Sequence, residues 1–406
     1  MSGSRRGAVL FVDDEPRVLQ GLQRMLRRWR EEWTLGFVES GREAIARLAE
    51  EPFDVLVTDL RMPGMGGEEL LRAVKEHHPR LVRIIFSGEM DPAGSFTAVH
   101  LAHRYLAKPC EPEALVAALT QAFALRRWVE ASPLQGLLGR IDTLPSLPAL
   151  YARLLSEIQA PHSSPRRVGE LIERDVGMTA KILQVVNSAF FGLPRQVVNA
   201  QDAVVLLGYD TLKALVLSSR IFGQFDTRRL HGLNVEALWE HSARAGLFAR
   251  TIAAAEALPR KVQDEAFTAG MLHDIGKLVL AQNFPEEYAA ALDDARQRQR
   301  PPAEVEQVRF GASHAELGAY LLGLWGIEEG VVQAIADHHQ PLAPAAGLPE
   351  TVGAANRLAH VLLEEDGRSH AAGPEPEAGD GARGHTSFGH WQEACRALLM
   401  QEVNHV

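Results

Sequence analysis

The first 124 residues alternate between two patterns. Short apolar runs, "AVLFV" from Ala8, "FDVLVTDL" from Phe53 and "RIIFSG" from Arg83, are rich in β-branched and aromatic residues and end in polar or glycine positions. Such runs read as strands buried on both faces of a parallel sheet. Between them, "RVLQGLQRMLRRW", "SGREAIARLAEE" and "GGEELLRAVKEHH" repeat apolar residues every three or four positions. That is the spacing of a helix with one buried face. Strand and helix in alternation predict a doubly wound α/β domain over residues 1–125. A later strand-like run, "RYLAKPC" from Arg104, adds to the sheet.

Around "RRWVEASPLQGLLGRIDTLPSLP" the pattern changes, and residues 126–147 read as a connecting segment. From 148 to 364 nearly everything has helical spacing, as in "ALYARLLSEIQ", "MTAKILQVVNSAFF" and "VQDEAFTAGMLHDIGKLVLAQ". Ser164-Pro165 opens one of these helices as N-cap and first position. The expectation is an all-α domain larger than a four-helix bundle. Residues 365–388 are rich in Gly, Ala, Pro and charge, cannot bury enough apolar surface to order themselves, and are expected to be flexible. Residues 389–406 form an amphipathic last helix.

Composition narrows the function classes. The 406 residues are 46% hydrophobic and 23% charged, a range in which each domain can bury a core. A net charge of -10 argues against nucleic acid as the main partner, because such proteins present a basic face. Two cysteines, Cys110 and Cys395, make no disulfide framework and fit a reducing cytoplasm. No uncharged apolar stretch is long enough to span a membrane, so a soluble, cytoplasmic protein is expected.

Chemistry enters at the strand ends, where open parallel sheets place their ligands. The first strand gives Asp13 and Asp14, the second Asp59, the third Ser87, and "RYLAKPC" gives Lys108. Three carboxylates brought together repel unless a cation sits among them, and hard oxygen ligands in small number suit Mg²⁺. Lys108 and Ser87 would grip phosphoryl oxygens, which leaves Asp59 as the nucleophile that forms an acyl phosphate. Any one of these acids alone would read as a solvated loop end; the whole set in this order does not. With "FVDDEP", "LVTDLRMPGMGG", "IIFSGEM" and "YLAKPC", the stretch from Ala8 to Leu125 resembles the response-regulator receiver family. The resemblance implies a five-stranded, flavodoxin-like sheet and phosphotransfer from a sensor histidine kinase to Asp59. It also implies Asp13, Asp14, Asp59 and the carbonyl of Arg61 as magnesium ligands, with Ser87 and Lys108 on the phosphoryl group and Tyr105 as aromatic switch.

The helical half carries a second set. His273 and Asp274 sit in an otherwise apolar run and are costly to bury unpaired. His241, His314, His338 and His339 lie in other helical patterns of the same domain, and helical domains do build metal centres from inward His and carboxylate groups. "TLPSLPALYARLLSEI", "AVVLLGYDTLKALVL", "LWEHS", "AGMLHDIGKLVL", "FGASHAELGAYLLGLW" and "AIADHH" together resemble the HD-related output domain (HDOD) family, from about Ile141 to Leu363. The family is kin to HD-type phosphohydrolases, including cyclic di-GMP phosphodiesterases. That kinship implies His241, His273 and Asp274 as metal ligands, with His314, His338 and His339 for further metal. Two departures stand out: the late acid of the enzymes is Asn356 here, and the Gly-Tyr-Pro segment that follows the His pair is replaced by "QPLAPAAGLPE". Iron, zinc, manganese or nickel would suit the imidazoles.

These readings converge on a two-domain response regulator. Phosphorylation of Asp59 would change packing or dimerisation and expose the helical domain to a downstream protein partner or a ligand. The alternatives are a receiver-regulated, metal-dependent phosphohydrolase acting on cyclic dinucleotides or other phosphodiesters, and a non-hydrolytic receptor for a nucleotide second messenger. The two departures count against turnover.

Overall fold

The computed structural model describes residues 7–88, 101–141, 144–145, 147–160, 162–187, 197–223, 225, 230, 232–343, 347–365 and 387–403. The expected flexible insert at 365–388 therefore lies almost entirely outside the described residues. The chain divides into two compact units. One comprises Met1–Ser132 with Ser146–Ser156 and Gly323–Gly326; the other comprises Pro133–Pro145, Glu157–Leu322 and Ile327–Val406.

The first unit is the expected α/β layer structure. Its strands are β1 (Gly7–Val12), β2 (Trp33–Val38), β3 (Val55–Thr58), β4 (Val82–Ser87) and β5 (Arg104–Ala107), all parallel in the order β2-β1-β3-β4-β5. The described helices are α1 (Pro16–Met25), α2 (Gly41–Glu50), α3 (Gly67–His77) and α4 (Pro112–Glu130). Apolar residues of the central strands are buried, as the unbroken runs required: Leu10, Val12, Leu56 and Ile85 meet Leu70, Leu71 and Val74 of α3 in one core. Two local readings need correction. The helical pattern from Arg17 to Trp29 ends at Met25 and finishes as a short 3-10 turn over Arg27–Trp29. The edge strand β2 follows at once, in "WTLGFV", where no strand run was singled out. Helix α4 runs on to Glu130, into the stretch read as a linker or connecting helix.

In the second unit every described element is helical. The helices are α5 (Leu134–Arg140), α6 (Ala149–Gln159, which straddles the two units), α7 (Pro165–Glu173), α8 (Val176–Val186), α9 (Ala200–Phe222), α10 (Val235–Ala255), α11 (Arg260–Leu272), α12 (Ile275–Asn283), α13 (Pro285–Arg298), α14 (Pro302–Phe310), α15 (His314–Leu324), α16 (Glu329–Asp337), α17 (Leu348–Glu365) and α18 (Phe388–Val403). Ser164 caps α7 by accepting from the Arg167 amide. Helix α9 kinks at Gly208, whose φ of 77° lies in the region glycine alone enters freely. The run from Val262 to Gln282, which reads as one helix, is two: α11 stops at Leu272 and α12 starts at Ile275. Among the described residues no helix is long and apolar enough to cross a membrane.

Candidate functional sites

The sheet register assembles the first site. β1 and β3 pair Val12 with Thr58, so Asp13 and Asp59 leave the sheet side by side. β4 and β5 pair Ser87 with Ala107, and the Lys108 amide donates to the Ser87 carbonyl at 2.9 Å. The ends of four strands thus meet. The Lys108 Nζ donates to Asp13 Oδ2 and to Asp59 Oδ2, each at 2.5 Å. Ser87 Oγ donates to Asp59 Oδ1 at 2.7 Å, and that oxygen also accepts from the Leu60 and Arg61 amides at 2.5 and 3.2 Å. Oxygens of Asp13, Asp14 and Asp59 lie within 4.8 Å of one another. Tyr105 is half-buried, and its hydroxyl donates to the Ser87 carbonyl at 3.3 Å. Gly67 opens α3 directly beneath: a Cβ there would sit 2.0 Å from the Asp59 carbonyl oxygen, so only glycine lets the helix approach.

Two carboxylates share one ammonium here yet respond differently. Burial raises the Asp13 pKa above its ordinary value, and the Lys108 contact only partly offsets it. Burial also acts on Asp59, but the hydrogen bonds from Lys108 and Ser87, with the Lys108 charge and the Arg61 amide, outweigh it and bring that carboxyl below its usual range. Asp59 is therefore held ionised, the state a nucleophilic carboxylate needs. Burial and the Asp59 charge push the Tyr105 phenol up to about 12. Three clustered carboxylates with one nearby lysine fit a hard, oxygen-seeking Mg²⁺.

The second site lies among helix ends of the all-α unit. His273 caps the end of α11 and Asp274 the start of α12, so the break in the helix, not a helical turn, aims both side chains inward. Close helix crossings bring the other groups up. Gly270 packs on Gly246 of α10, where a Cβ would lie 2.6 Å from the Gly246 Cα, and Gly276 packs on α15, where a Cβ would lie 2.0 Å from the His314 carbonyl oxygen. As a result His241 Nε2 and His273 Nε2 are 3.3 Å apart, and Asp274 Oδ2 is 3.8 and 3.5 Å from them. Its other oxygen, Oδ1, lies 3.2 Å from His314 Nε2. His314 Nε2 is in turn 2.9 Å from His339 Nε2. Asp274 thus stands between two clusters, His241/His273/Asp274 and His314/His338/His339. All six residues expected from the sequence are brought together. His241, His273, Asp274, His314 and His338 are buried, and His339 is part-buried.

The sequence reading missed two contributors. Glu306 of α14 is buried; its Oε2 accepts from His314 Nδ1 at 2.6 Å and from the His314 amide at 2.7 Å, while Oε1 accepts from Tyr288 at 3.0 Å. A signal existed: Glu306 lies three residues after Ala303 and four before Phe310, on the apolar face of α14. The other is His360, one turn after Asn356 on α17, with its ring centroid 4.3 Å from that of His241. Asn356 Oδ1 is 2.9 Å from His241 Nε2, and Lys277 Nζ donates to Asp274 Oδ2 at 2.8 Å.

Burial holds His241, His273, His338 and His339 below the ordinary histidine value, so they are neutral, as ligands must be. Burial acts the same way on His314, but Glu306 and Asp274 on its two nitrogens overcome it and raise its pKa to about 9. Asp274 stays well below the usual carboxylate range despite burial, because His273, Lys277 and His314 surround it. A metal fits the neutral imidazoles and the Asp274 carboxylate of this set, and His314 would join them by giving up the proton it holds toward Asp274. His338 donates Nδ1–H to the Ile335 carbonyl at 2.7 Å, which leaves the lone pair of its buried Nε2 facing the cluster without a hydrogen-bond partner. Imidazole-rich sites of this kind suit borderline transition metals.

Known proteins resemble the chain in two blocks. The family model for a response regulator receiver domain matches residues 9–120, and that for an HDOD domain matches residues 144–341. An uncharacterized protein of Treponema pallidum (strain Nichols) is 30% identical over 229 residues, 55% of this chain and 43% of that protein. The hydrogenase transcriptional regulatory protein HoxA of Cupriavidus necator is 36% identical over 164 residues, 39% of this chain and 32% of that protein. The chain therefore spans less than half the length of these curated relatives. Among solved structures, a candidate phosphohydrolase from Shewanella amazonensis SB2B aligns with a TM-score of 0.50 at 24% identity, covering 66% of this chain and 95% of that one. At that identity the likeness speaks for the fold alone.

Proposed function

The chain is a receiver–HDOD protein, with a response regulator receiver domain over residues 9–120 and an HDOD domain over residues 144–341, and we propose that it works as a two-component response regulator phosphorylated on Asp59. The observation that carries this reading is the meeting of Asp13, Asp14, Asp59, Ser87 and Lys108 at four adjacent strand ends. An Asp59 carboxylate oxygen attacks the phosphorus of a phosphohistidine on a sensor kinase. The O–P bond forms, the N–P bond breaks, and the imidazole leaves. Asp13, Asp14, Asp59 and the Arg61 carbonyl would hold Mg²⁺, which would supply positive charge to the phosphoryl oxygens. Lys108 moves from the Asp13 and Asp59 carboxylates to the new phosphoryl group, and Ser87 turns its hydroxyl to it, drawing Tyr105 inward. The protein acts in the cytoplasm, and its HDOD domain is the output, signalling through a protein or ligand that it binds.

Incubation with acetyl phosphate and Mg²⁺ tests the first half. One phosphoryl group per chain is expected on the wild type and none on Asp59→Asn. Labelling that persists in the variant would overturn the assignment.

A second reading, that the HDOD domain hydrolyses phosphodiesters such as cyclic dinucleotides, is favoured by the buried His/Asp set and its fit to metal. Two features weigh against turnover: Asn356 stands where the related enzymes place an acid, and "QPLAPAAGLPE" replaces the Gly-Tyr-Pro segment that follows their His pair. Incubating the metal-loaded protein with cyclic dinucleotides and generic phosphodiesters separates the readings. Turnover lost in His273→Ala would establish the enzyme, and binding without turnover would establish a nucleotide receptor.

A further inference from the structure

Helix α18 lies beyond the residues that the family model matches. That match ends at residue 341, and both α17 and α18 follow it. Between them, residues 366–386 contain no Val, Ile, Leu, Met, Phe, Tyr or Trp, so by sequence that stretch brings no large apolar group to the domain. Helix α18 holds to the domain through its own side chains. Its buried face is narrow: Trp391 and Cys395, one turn apart, are fully buried, while Glu393, Arg396 and Ala397 are exposed. Helix α10, by contrast, buries residues along its length from Ala237 to Ala253. A helix of 16 residues is marginal alone in water, so α18 owes its order to being docked.

The surface beneath α18 is formed by α10 and α17. It is built around one deep anchor. Among the described residues, Trp391 is the largest fully buried side chain. Its indole N–H donates to Glu256 Oε1 at 2.6 Å, and Phe388 lies edge-on to its ring, with centroids 6.5 Å apart. Glu256 is the C-cap of α10. An acid at that end faces the negative pole of the helix and calls for a donor. The next residue, Ala257, has a φ of 52°, a left-handed conformation that alanine seldom adopts, and the Leu258 amide closes the turn on the Ala253 carbonyl at 2.9 Å. Strained turns of this kind gather where a ligand is clamped. One aromatic in a dry pocket with one polar contact is the pattern of an anchor in a helix-binding groove.

We propose that the face of α10 and α17 under α18 is a docking groove for an amphipathic helix of a downstream protein partner, and that α18 is its resident occupant, displaced when the partner binds. The proposal rests on the reading that the helical domain signals by binding a protein, and deepens it by naming the surface. The seated helix shows what the groove takes: a tryptophan whose N–H reaches Glu256, a small residue one turn on, where Cys395 stands, and apolar residues a turn later, where Leu398 and Leu399 are half-buried. Both occupants use the same anchor, so only one can be seated. A peripheral helix with so few buried side chains opens at the low end of the stability range, without the domain unfolding.

The test uses the full-length protein and a fluorescent peptide of residues 387–406. Trp391→Ala, with its own helix undocked, should bind the wild-type peptide. The wild-type chain, whose groove is filled, should bind it at least about tenfold more weakly, and a peptide carrying Trp391→Ala should bind neither. Adding Glu256→Ala to the Trp391→Ala chain should weaken the peptide about tenfold. Cys395 reports the opening directly. Burial pushes its thiol up to about 12, so it is inert while docked. In a Cys110→Ser chain, a maleimide should reach Cys395 on the order of 100-fold faster than the helical unit unfolds as a whole. Labelling only at the rate of global unfolding, or a folded Trp391→Ala chain that takes no peptide, would make α18 a fixed part of the core and overturn the proposal. If Trp391→Ala does not fold, the Cys395 rate decides in the same two directions. A wild-type dimer that Trp391→Ala dissolves would give the groove to a second copy and overturn the choice of partner. Acetyl phosphate labelling of the same samples keeps the readings apart: an unlabelled wild type would sink the response regulator, whereas a labelled chain with α18 fixed would sink only the groove.

Discussion

Arg83 and His103 show how a single residue tunes the receiver. The Arg83 amide donates to His103 Nδ1 at 3.0 Å, and the Arg83 guanidinium lies 3.0 Å from Nε2. A neutral imidazole can accept once, and a protonated one not at all. Burial, and then the Arg83 and Lys75 charges, hold its pKa well below the ordinary value. The sign follows from linkage. Below about 6.5 the unfolded chain binds a proton that folded His103 refuses, so receiver stability falls as pH drops through that value, by up to about 1.4 kcal/mol per pH unit. Urea unfolding at pH 7.5 and 5.5 should show a steeper loss for the wild type than for His103→Gln. Equal losses would remove His103 as the cause. At this scale the sequence was legible where a residue type is dictated by chemistry, as with Asp13, Asp59 and Lys108. Glu306 was only half legible: its place on the apolar face with Ala303 and Phe310 signals burial, but nothing in "AEVEQVRF" names its partner until the neighbouring helix supplies His314.

At the scale of elements, glycines decide how close the helices around the His/Asp cluster come. Gly276 allows α12 to lie on the first residue of α15, and any Cβ there would meet the His314 backbone. Overpacking of this kind costs about 1–3 kcal/mol, more when backbone must yield. Gly276→Ala should therefore lower the unfolding midpoint of the helical unit and weaken Co²⁺ binding together; a stable variant with normal Co²⁺ affinity would show that the helices do not depend on this contact. Where elements end was harder to read than that they exist. "AGMLHDIGKLVL" has no proline, and Asp274, though a residue type that starts helices, sits in an unbroken apolar spacing that reads straight through it. The break at His273 and Asp274 follows from packing against α15 and α10, which local pattern does not record. Strand β2 was hidden for a related reason: the arginine- and tryptophan-rich stretch before it carries helical spacing on toward Trp33, and β2 mixes buried and half-buried positions in no strict alternation.

For the whole molecule, two units with separate cores predict two unfolding steps. Ligands that bind only one folded unit should move only its step. Mg²⁺ with beryllofluoride, a phosphoryl mimic, should raise the receiver midpoint; at 100 times its dissociation constant the gain is about 2.7 kcal/mol. Zn²⁺ in the same scan should raise the other step alone. A single merged transition that both ligands shift equally would show that the units fold as one. The architecture was legible from the change in hydrophobic period near residue 126, because period is a property of long stretches and survives local errors.

The centre of the helical unit draws on residues from His241 to Asn356, whereas the receiver pocket is complete by Lys108. During synthesis the two sites ripen at different moments. Under the proposed function, a ribosome still translating the helical half would already have released every residue of the phosphate-accepting pocket. An interrupted message would thus yield fragments that drain the kinase yet deliver no output.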